Sequence, residues 1–326
     1  MAQDVRPPNT STSPPTDPIH PEVAREVIDA LLATNNHEIT ILSRHSPPSP
    51  STNPNLHWRT VDYTSPTTLT SALTGIHTVL SFIQPLSDPS ATSQIALIDA
   101  CIAARVIRFA PSEYASASTT SLPFWQPKAL VRSYLLSLNT PSPVLEYTLF
   151  QPGLLLDYLA TPYQTSRHIT PLSTPFDLQH RRAVVVAGHL DAVLTLTSAA
   201  DVAKAVEMMV SYSGRWPPVS GIRGNRVTFA EVLRTAEKIR GEFTVAEGQL
   251  EDLQRGELKL DWGLERTHEA VGEGEAEEFK KGVMVGILLG CYLGAWDVSG
   301  EVNELFPEYE FEGIEKFLKR VWEGKP

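Results

Sequence analysis

Cysteine is nearly absent from this chain: two of 326 residues, Cys101 and Cys291, far apart and each flanked by apolar side chains. A disulfide-stapled scaffold is excluded, and two reduced core thiols in a cytoplasmic protein are expected. Long hydrophobic runs are missing as well. The longest, Gly282–Trp296, spans about 15 residues where a bilayer needs roughly 20, so a buried helix is expected there and no membrane partner. The opening stretch, MAQDVRPPNTSTSPPTDPIH, has no apolar core of the kind a signal peptide carries. Positive charge is in deficit, with 27 Lys and Arg against 38 Asp and Glu, a formal net charge of -11. That balance supplies no field for direct nucleic-acid binding. Part of the acidic excess is local, in residues 241–281, and reads as a solvated face.

What remains is ordinary globular material, 42% hydrophobic and 20% charged. The length suits one large or two ordinary domains with a sizeable core. Ten of the 26 prolines fall in the first 54 residues, so residues 1–21 are expected to be irregular. Val23, Val27, Ile28, Leu31 and Leu32 then recur at helical spacing and predict a helix over 22–34. Short β-branched runs at 38–43, 58–61, 78–83, 106–109 and 145–150 predict strands. They alternate with helical stretches at 65–73, 90–104 and 128–138. This alternation is the signature of βαβ units and a doubly wound parallel sheet. The second half is more mixed, with strands at 183–187 and 193–196, and helices at 198–212, 230–239, 278–294 and 312–323.

In an open parallel sheet, ligands sit beyond the carboxyl ends of the strands. After 38–43 come Arg44 and His45. A basic residue after the second strand of a dinucleotide fold pairs with a ribose 2′-phosphate, where an acid would select NAD; a plain surface arginine is the competing reading. After 106–109 come Pro111, Ser112 and Glu113, which offer hydrogen-bonding groups or form an ordinary loop. Lys128 and Arg132 share one helix face at i,i+4. Lysine there can hold ribose hydroxyls, or relay a proton if burial depresses its pKa; a solvated helix face is the alternative.

The ordered motifs ITILSR (39–44), VIRFAPSEY (106–114), the Lys128/Arg132 helix and LEYTLFQPGLLLDYL (145–159) together resemble the NmrA-like and isoflavone reductase-like family, atypical short-chain dehydrogenases. LTSAADVAKAV (196–206), GNRVTFAEVLRTAEKIRG (224–241) and AWDVSGEVNELFPE (295–308) extend the resemblance over roughly residues 22–323. It implies a Rossmann-like α/β fold that binds NADPH, with a smaller interleaved C-terminal substrate domain. It places Arg44 on the 2′-phosphate and Lys128 as the active-site lysine, with His45 and Ser112 as further cofactor contacts. Phe124 stands where the tyrosine of a Tyr-x-x-x-Lys pair would be, so tyrosine-based proton donation from that position is excluded. Phe124, Trp125, Tyr158 and Tyr163 are pocket candidates for an apolar or aromatic small-molecule substrate.

One departure is large. The family opens on a strand and a G-x-x-G-x-x-G turn, and here that register falls on Pro18, Pro21 and Ala24. Proline removes the backbone N–H donors that grip a pyrophosphate, and no first strand is recognisable upstream. The expected organisation is therefore an irregular segment 1–21, an NADP-binding domain 22–153 lacking its first strand and glycine loop, and a mixed α/β part 154–326. Two accounts of the N-terminus stay open, a misassembled leading segment or a genuine loss. Three readings follow: an NADPH-dependent reductase, a non-catalytic dinucleotide sensor or regulator with a protein partner, or a cofactor-binding-deficient relative that folds poorly and is inert.

Overall fold

Val27, Ile28, Leu31 and Leu32 are all buried, forming the inner stripe of the first helix in the computed structural model of the chain. The structure describes residues 2–6, 22–47, 53–120, 122, 125–260, 262–263 and 276–325. In chain order the first half contains β1 (Ala2–Arg6), α1 (Glu22–Ala33), β2 (Glu38–Ser43), β3 (Leu56–Thr60), α2 (Pro66–Leu73), β4 (Thr78–Ser81), α3 (Thr92–Ala103), β5 (Arg108–Ala110), α4 (Gln126–Leu138), β6 (Glu146–Tyr147) and β7 (Leu149–Gln151). The second half adds β8 (Leu154–Leu155), β9 (Phe176–Asp177), β10 (Arg182–Val186), β11 (Val193–Thr197), α5 (Ala199–Ser211), β12 (Val219–Gly221), β13 (Asn225–Thr228), α6 (Phe229–Arg240), β14 (Thr244–Gly248), α7 (Leu250–Gln254), α8 (Ala276–Tyr292), α9 (Glu301–Leu305) and α10 (Ile314–Trp322).

These elements form two units. The first comprises residues 1–114, 124–150 and 202–220; the second comprises 115–123, 151–201 and 221–326 and is no smaller than the first. The first unit holds a six-stranded sheet in the order β3-β2-β1-β4-β5-β6. Strands β2 and β3, β4 and β5, and β5 and β6 pair in parallel. Ile39–Ser43 of β2 and all of β4 are buried, as strands covered on both faces must be. Leu69 and Leu73 of α2, Leu97, Ile98 and Cys101 of α3, and Val131 and Leu135 of α4 join Leu42, Val79 and Phe109 in one core. Both cysteines are buried thiols outside any disulfide.

The N-terminal segment corrects the sequence expectation. Ala2–Arg6 is not irregular but forms β1, in the central slot of the sheet between β2 and β4. It runs against both neighbours, Ala2 opposite Leu42 and Arg6 opposite Glu38 on one side, Ala2 opposite Ser81 on the other. A first strand is present, and it is reversed. Pro18 and Pro21 lie outside the described residues. The run at 145–150 also differs, because it changes partner midway. Thr148 still donates its N–H to Phe109 O at 3.1 Å, whereas Leu149 donates to Pro218 O at 3.0 Å.

In the second unit, β14, β10 and β9 form one sheet and β13, β11 and β8 another. Gly153, ahead of β8, has φ +76°, and a Cβ there would lie 2.3 Å from Thr195 O. Only glycine fits, which accounts for the glycine in FQPGLLL. A reciprocal capping box between Thr228 and Glu231 starts α6. Phe317, Leu318, Val321 and Trp322 bury one face of α10. Among the described residues no helix is long and apolar enough to cross a membrane.

Candidate active site

Because β2 to β6 run the same way, the residues just past β2, β4 and β5 share the carboxyl edge of the first unit's sheet. At the β2 exit, the His45 N–H donates to Ser43 Oγ at 3.1 Å and its carbonyl accepts from Trp58 Nε1 at 2.9 Å. Those two bonds fix the turn. Arg44 and His45 are both exposed, and the Arg44 side chain has no hydrogen bond among the described residues.

The β4 and β5 exits are tied together by Gln94 of α3. Its Oε1 accepts from Ser112 N at 2.9 Å and from Ser81 Oγ at 3.2 Å. Gln94 is itself fixed by its N–H, which donates to Asp88 Oδ2 at 3.1 Å near the start of α3. Sequence reasoning missed it. The legible signal was a polar side chain in phase with Leu97, Ile98 and Cys101 on the buried stripe of that helix.

Lys128 lies in the first turn of α4 and is only 5% exposed. Its Nζ donates to Ser112 O at 2.9 Å and also to Glu113 O, and it faces the Trp125 ring with 5.4 Å to the centroid. Burial lowers its pKa from 10.5 to about 8; the Glu113 charge opposes that fall and the Arg132 charge adds to it. The reading of Lys128 as part of a solvated helix face is thus overturned. One turn on, Arg132 Nε donates to both carboxylate oxygens of Glu113 at 3.1 Å, and Nη2 to Oε2 at 2.5 Å. Glu113 is 1% exposed. Next in the chain, Tyr114 takes φ +40° and stacks on Phe82 at 4.6 Å between centroids. Its hydroxyl is buried with no partner among the described residues, and burial pushes the phenol well above its usual range.

The structure therefore brings Ser112 and Lys128 into direct contact and leaves Arg44 and His45 at a separate strand exit. Phe124 lies outside the described residues. Trp125 stands beside Lys128. Tyr158 and Tyr163 belong to the second unit, where Tyr163 meets Trp322 edge-on at 5.2 Å and the Lys325 ammonium at 3.8 Å.

The chemistry available at Lys128 follows from counting hydrogens. An ammonium has three N–H donors, and the two carbonyls take two of them, so one is left for a ligand. The neutral amine keeps both carbonyl bonds and turns a lone pair toward that same position. With a pKa of about 8, both forms are accessible near neutral pH.

A sheet in the order β3-β2-β1-β4-β5-β6 is that of a doubly wound, dinucleotide-binding fold. The comparisons give the family. Residues 20–192, just over half of the chain, match the NAD(P)H-binding family model. "Oxidoreductase BOA1" of Botryotinia fuckeliana is 31% identical over 223 residues, covering 68% of this chain and 73% of that protein. "Oxidoreductase swnN" of Metarhizium robertsii is 27% identical over 329 residues, covering 92% and 94%. The fold matches AtPrR2 solved with NADP+ and (+)pinoresinol, at TM-score 0.63 and 16% identity, over 92% of this chain and 95% of that one. It matches the NADPH-dependent quinone oxidoreductase QOR2 of Escherichia coli complexed with NADPH at TM-score 0.63 and 19% identity, over 92% and 96%. The chain belongs to the NAD(P)H-binding oxidoreductase family.

The donor set fits that cofactor at two places: the exposed cation of Arg44 past β2, and the free donor of Lys128 past β5. Between them the chain departs from the family. β1 ends at the opposite pole from the one where a phosphate-gripping turn must begin, and Ala24, in the last glycine place, is fully buried.

Proposed function

We propose that this chain is an NADPH-dependent reductase of a small apolar or aromatic metabolite, with Lys128 as its proton-handling residue. The observation that carries the reading is the buried Lys128 amine, held by Ser112 O and Glu113 O with one position left for a ligand. When bound, NADPH supplies hydride. Arg44 meets the 2′-phosphate and His45 shapes the turn that presents it. Ser112 fixes Lys128, which orients the nicotinamide ribose and gives or takes a proton at the substrate oxygen. The neighbours solved with pinoresinol and named for quinones suggest aromatic substrates with oxygen functions. The test is NADPH oxidation across a panel of quinones and phenolic ethers. Lys128→Ala is expected to lower turnover by ~10²-fold, the usual scale for a positioned acid–base group; unchanged turnover removes the assignment.

The reversed β1 favours a second reading, a non-catalytic relative that senses dinucleotide weakly or has lost it. No turnover on any member of the panel, in wild type and Lys128→Ala alike, is the result that selects it, with NADPH binding marking a sensor and no binding marking the loss.

A further inference from the structure

Glu113 is held at two points at once. Its backbone carbonyl accepts from Lys128 Nζ, and its carboxylate accepts three hydrogen bonds from Arg132 one helical turn further along α4. The carboxylate side chain is 1% exposed and the Arg132 side chain 19% exposed, so little water screens either charge. Lys128 itself makes no ion pair with a carboxylate among the described residues. Glu113 and Arg132 are the two charges that act on it, in opposite senses. The residue whose carbonyl holds the amine is thus the same one whose side chain is tied to α4.

We propose that Glu113 and Arg132 are positioning residues of the site: their ion pair seats the Lys128 amine on the β5 exit, and each partner controls, in the opposite direction, how readily that amine releases its proton. Glu113 favours the ammonium and Arg132 favours the amine. With both present the two charges act against each other, and burial is the largest influence on the amine. Neutralising one leaves the other unopposed in a buried site, where a neighbouring charge shifts an ionisation by about one to three pH units. A simple strut between strand and helix predicts something else. It loosens when either end is cut, and both cuts then act in the same direction. This proposal rests on the reading of Lys128 given above for its bearing on catalysis, whereas its electrostatics are reported by the lysine's own titration.

The test follows the Cε and Nζ resonances of Lys128 by NMR in lysine-labelled protein between pH 6 and 11, assigned by their loss in Lys128→Met. No cofactor or substrate is added. Glu113→Gln is expected to lower the ionisation midpoint by at least about one pH unit, and Arg132→Gln to raise it by a similar amount. The double variant is expected to shift less than either single one, and downward, because Glu113 exerts the larger effect. Breaking one half of a buried pair is strongly destabilising, so the double variant, which leaves no orphaned charge, decides the matter where a single variant does not fold. A double-variant shift above about one unit overturns the proposal, as do single-variant midpoints that stay fixed or move together. The midpoint is read without turnover. A lysine that titrates as expected while Lys128→Ala keeps full activity therefore defeats the catalytic reading and leaves this electrostatic one standing.

Discussion

Replacing Lys128 by methionine keeps most of the side-chain volume and removes the buried ammonium, which makes the cost of that charge measurable. Folding takes the lysine from 10.5 to about 8, chiefly through burial. Each pH unit of such a difference corresponds to about 1.4 kcal/mol, so keeping the ammonium folded costs about 3 kcal/mol below pH 8. Between pH 8 and 10.5 the unfolded chain still binds a proton that the folded chain has released. Stability attributable to this group therefore rises with pH across that window; it is complete above 10.5 and lost as pH falls through 8. Wild type should gain on Lys128→Met by about 3 kcal/mol between pH 7 and 10.5. The assay is urea unfolding of both proteins over that range, and the quantity read is the difference between them, which cancels every other titrating group. Parallel pH profiles would mean that Lys128 is solvated in the folded state, and the site built around it would fall with that result.

The other expectations concern groups away from Lys128. Arg44→Ala should weaken NADPH binding more than NADH binding, since only the phosphorylated cofactor presents a group to that cation; equal losses in fluorescence titrations would remove Arg44 from the site. His37 is 3% exposed, and its Nε2 lies 3.2 Å from Ser211 Oγ, which in turn donates to Glu207 Oε1 at 3.0 Å. Burial lowers its pKa, opposed by the Glu207 charge. Its contribution to stability is thus full above pH 6.5 and is lost as pH falls toward the lowered value. His37→Gln should flatten the acid side of the thermal-stability profile below pH 6.5, and an unchanged slope there would show that the imidazole is not the group responsible.

Periodicity made most of the fold legible. Helices of 10–15 residues between β-branched runs defined the βαβ units, and β2 spans the same residues, 38–43, that its pattern predicts. The run at 145–150 was harder, because a continuous apolar pattern cannot report that Leu149 changes hydrogen-bond partner. The candidate site was legible only in part. Lys128 was visible as one of two cations at i,i+4, but spacing alone cannot separate a buried face from a wet one. Burial here is decided by contacts distant in sequence: Ser112 and Glu113 carbonyls on the β5 exit, in turn fixed by Gln94 from α3. Glu113 read as a loop residue because its partner Arg132 lies 19 positions away. The strand at Ala2–Arg6 was missed for another reason. Gln3, Asp4 and Arg6 give it a polar composition with little β-propensity, and it forms because β2 and β4 offer it two unpaired edges.

That strand bears most directly on how tightly the cofactor is held. A sheet without it would leave the facing edges of β2 and β4 unpaired in the middle of the domain, each buried unpaired group costing on the order of 1–3 kcal/mol. Ala2–Arg6 meets that need in either orientation, since antiparallel pairing satisfies the same donors and acceptors. Function is less tolerant of direction. A pyrophosphate is gripped where a parallel strand leaves the carboxyl edge and turns through glycines into a helix, with backbone N–H groups and the helix dipole aimed at the anion. Here β1 begins at that edge, opposite Leu42 and Ser81, and leaves from the far pole beside Glu38. β1 thus pairs the sheet without itself leading into a phosphate-gripping turn. Replacing residues 1–21 with a parallel strand and a glycine-rich turn should therefore leave the sheet paired and restore at least one hydrogen bond to a charged phosphate, worth about 1.5–3 kcal/mol. NADPH affinity measured by calorimetry should rise tenfold or more, as each ~1.4 kcal/mol requires, with little change in the unfolding temperature of the free protein. Equal affinities for the two chains would show that Arg44 and Lys128, at the two ends of the cofactor, suffice to hold it.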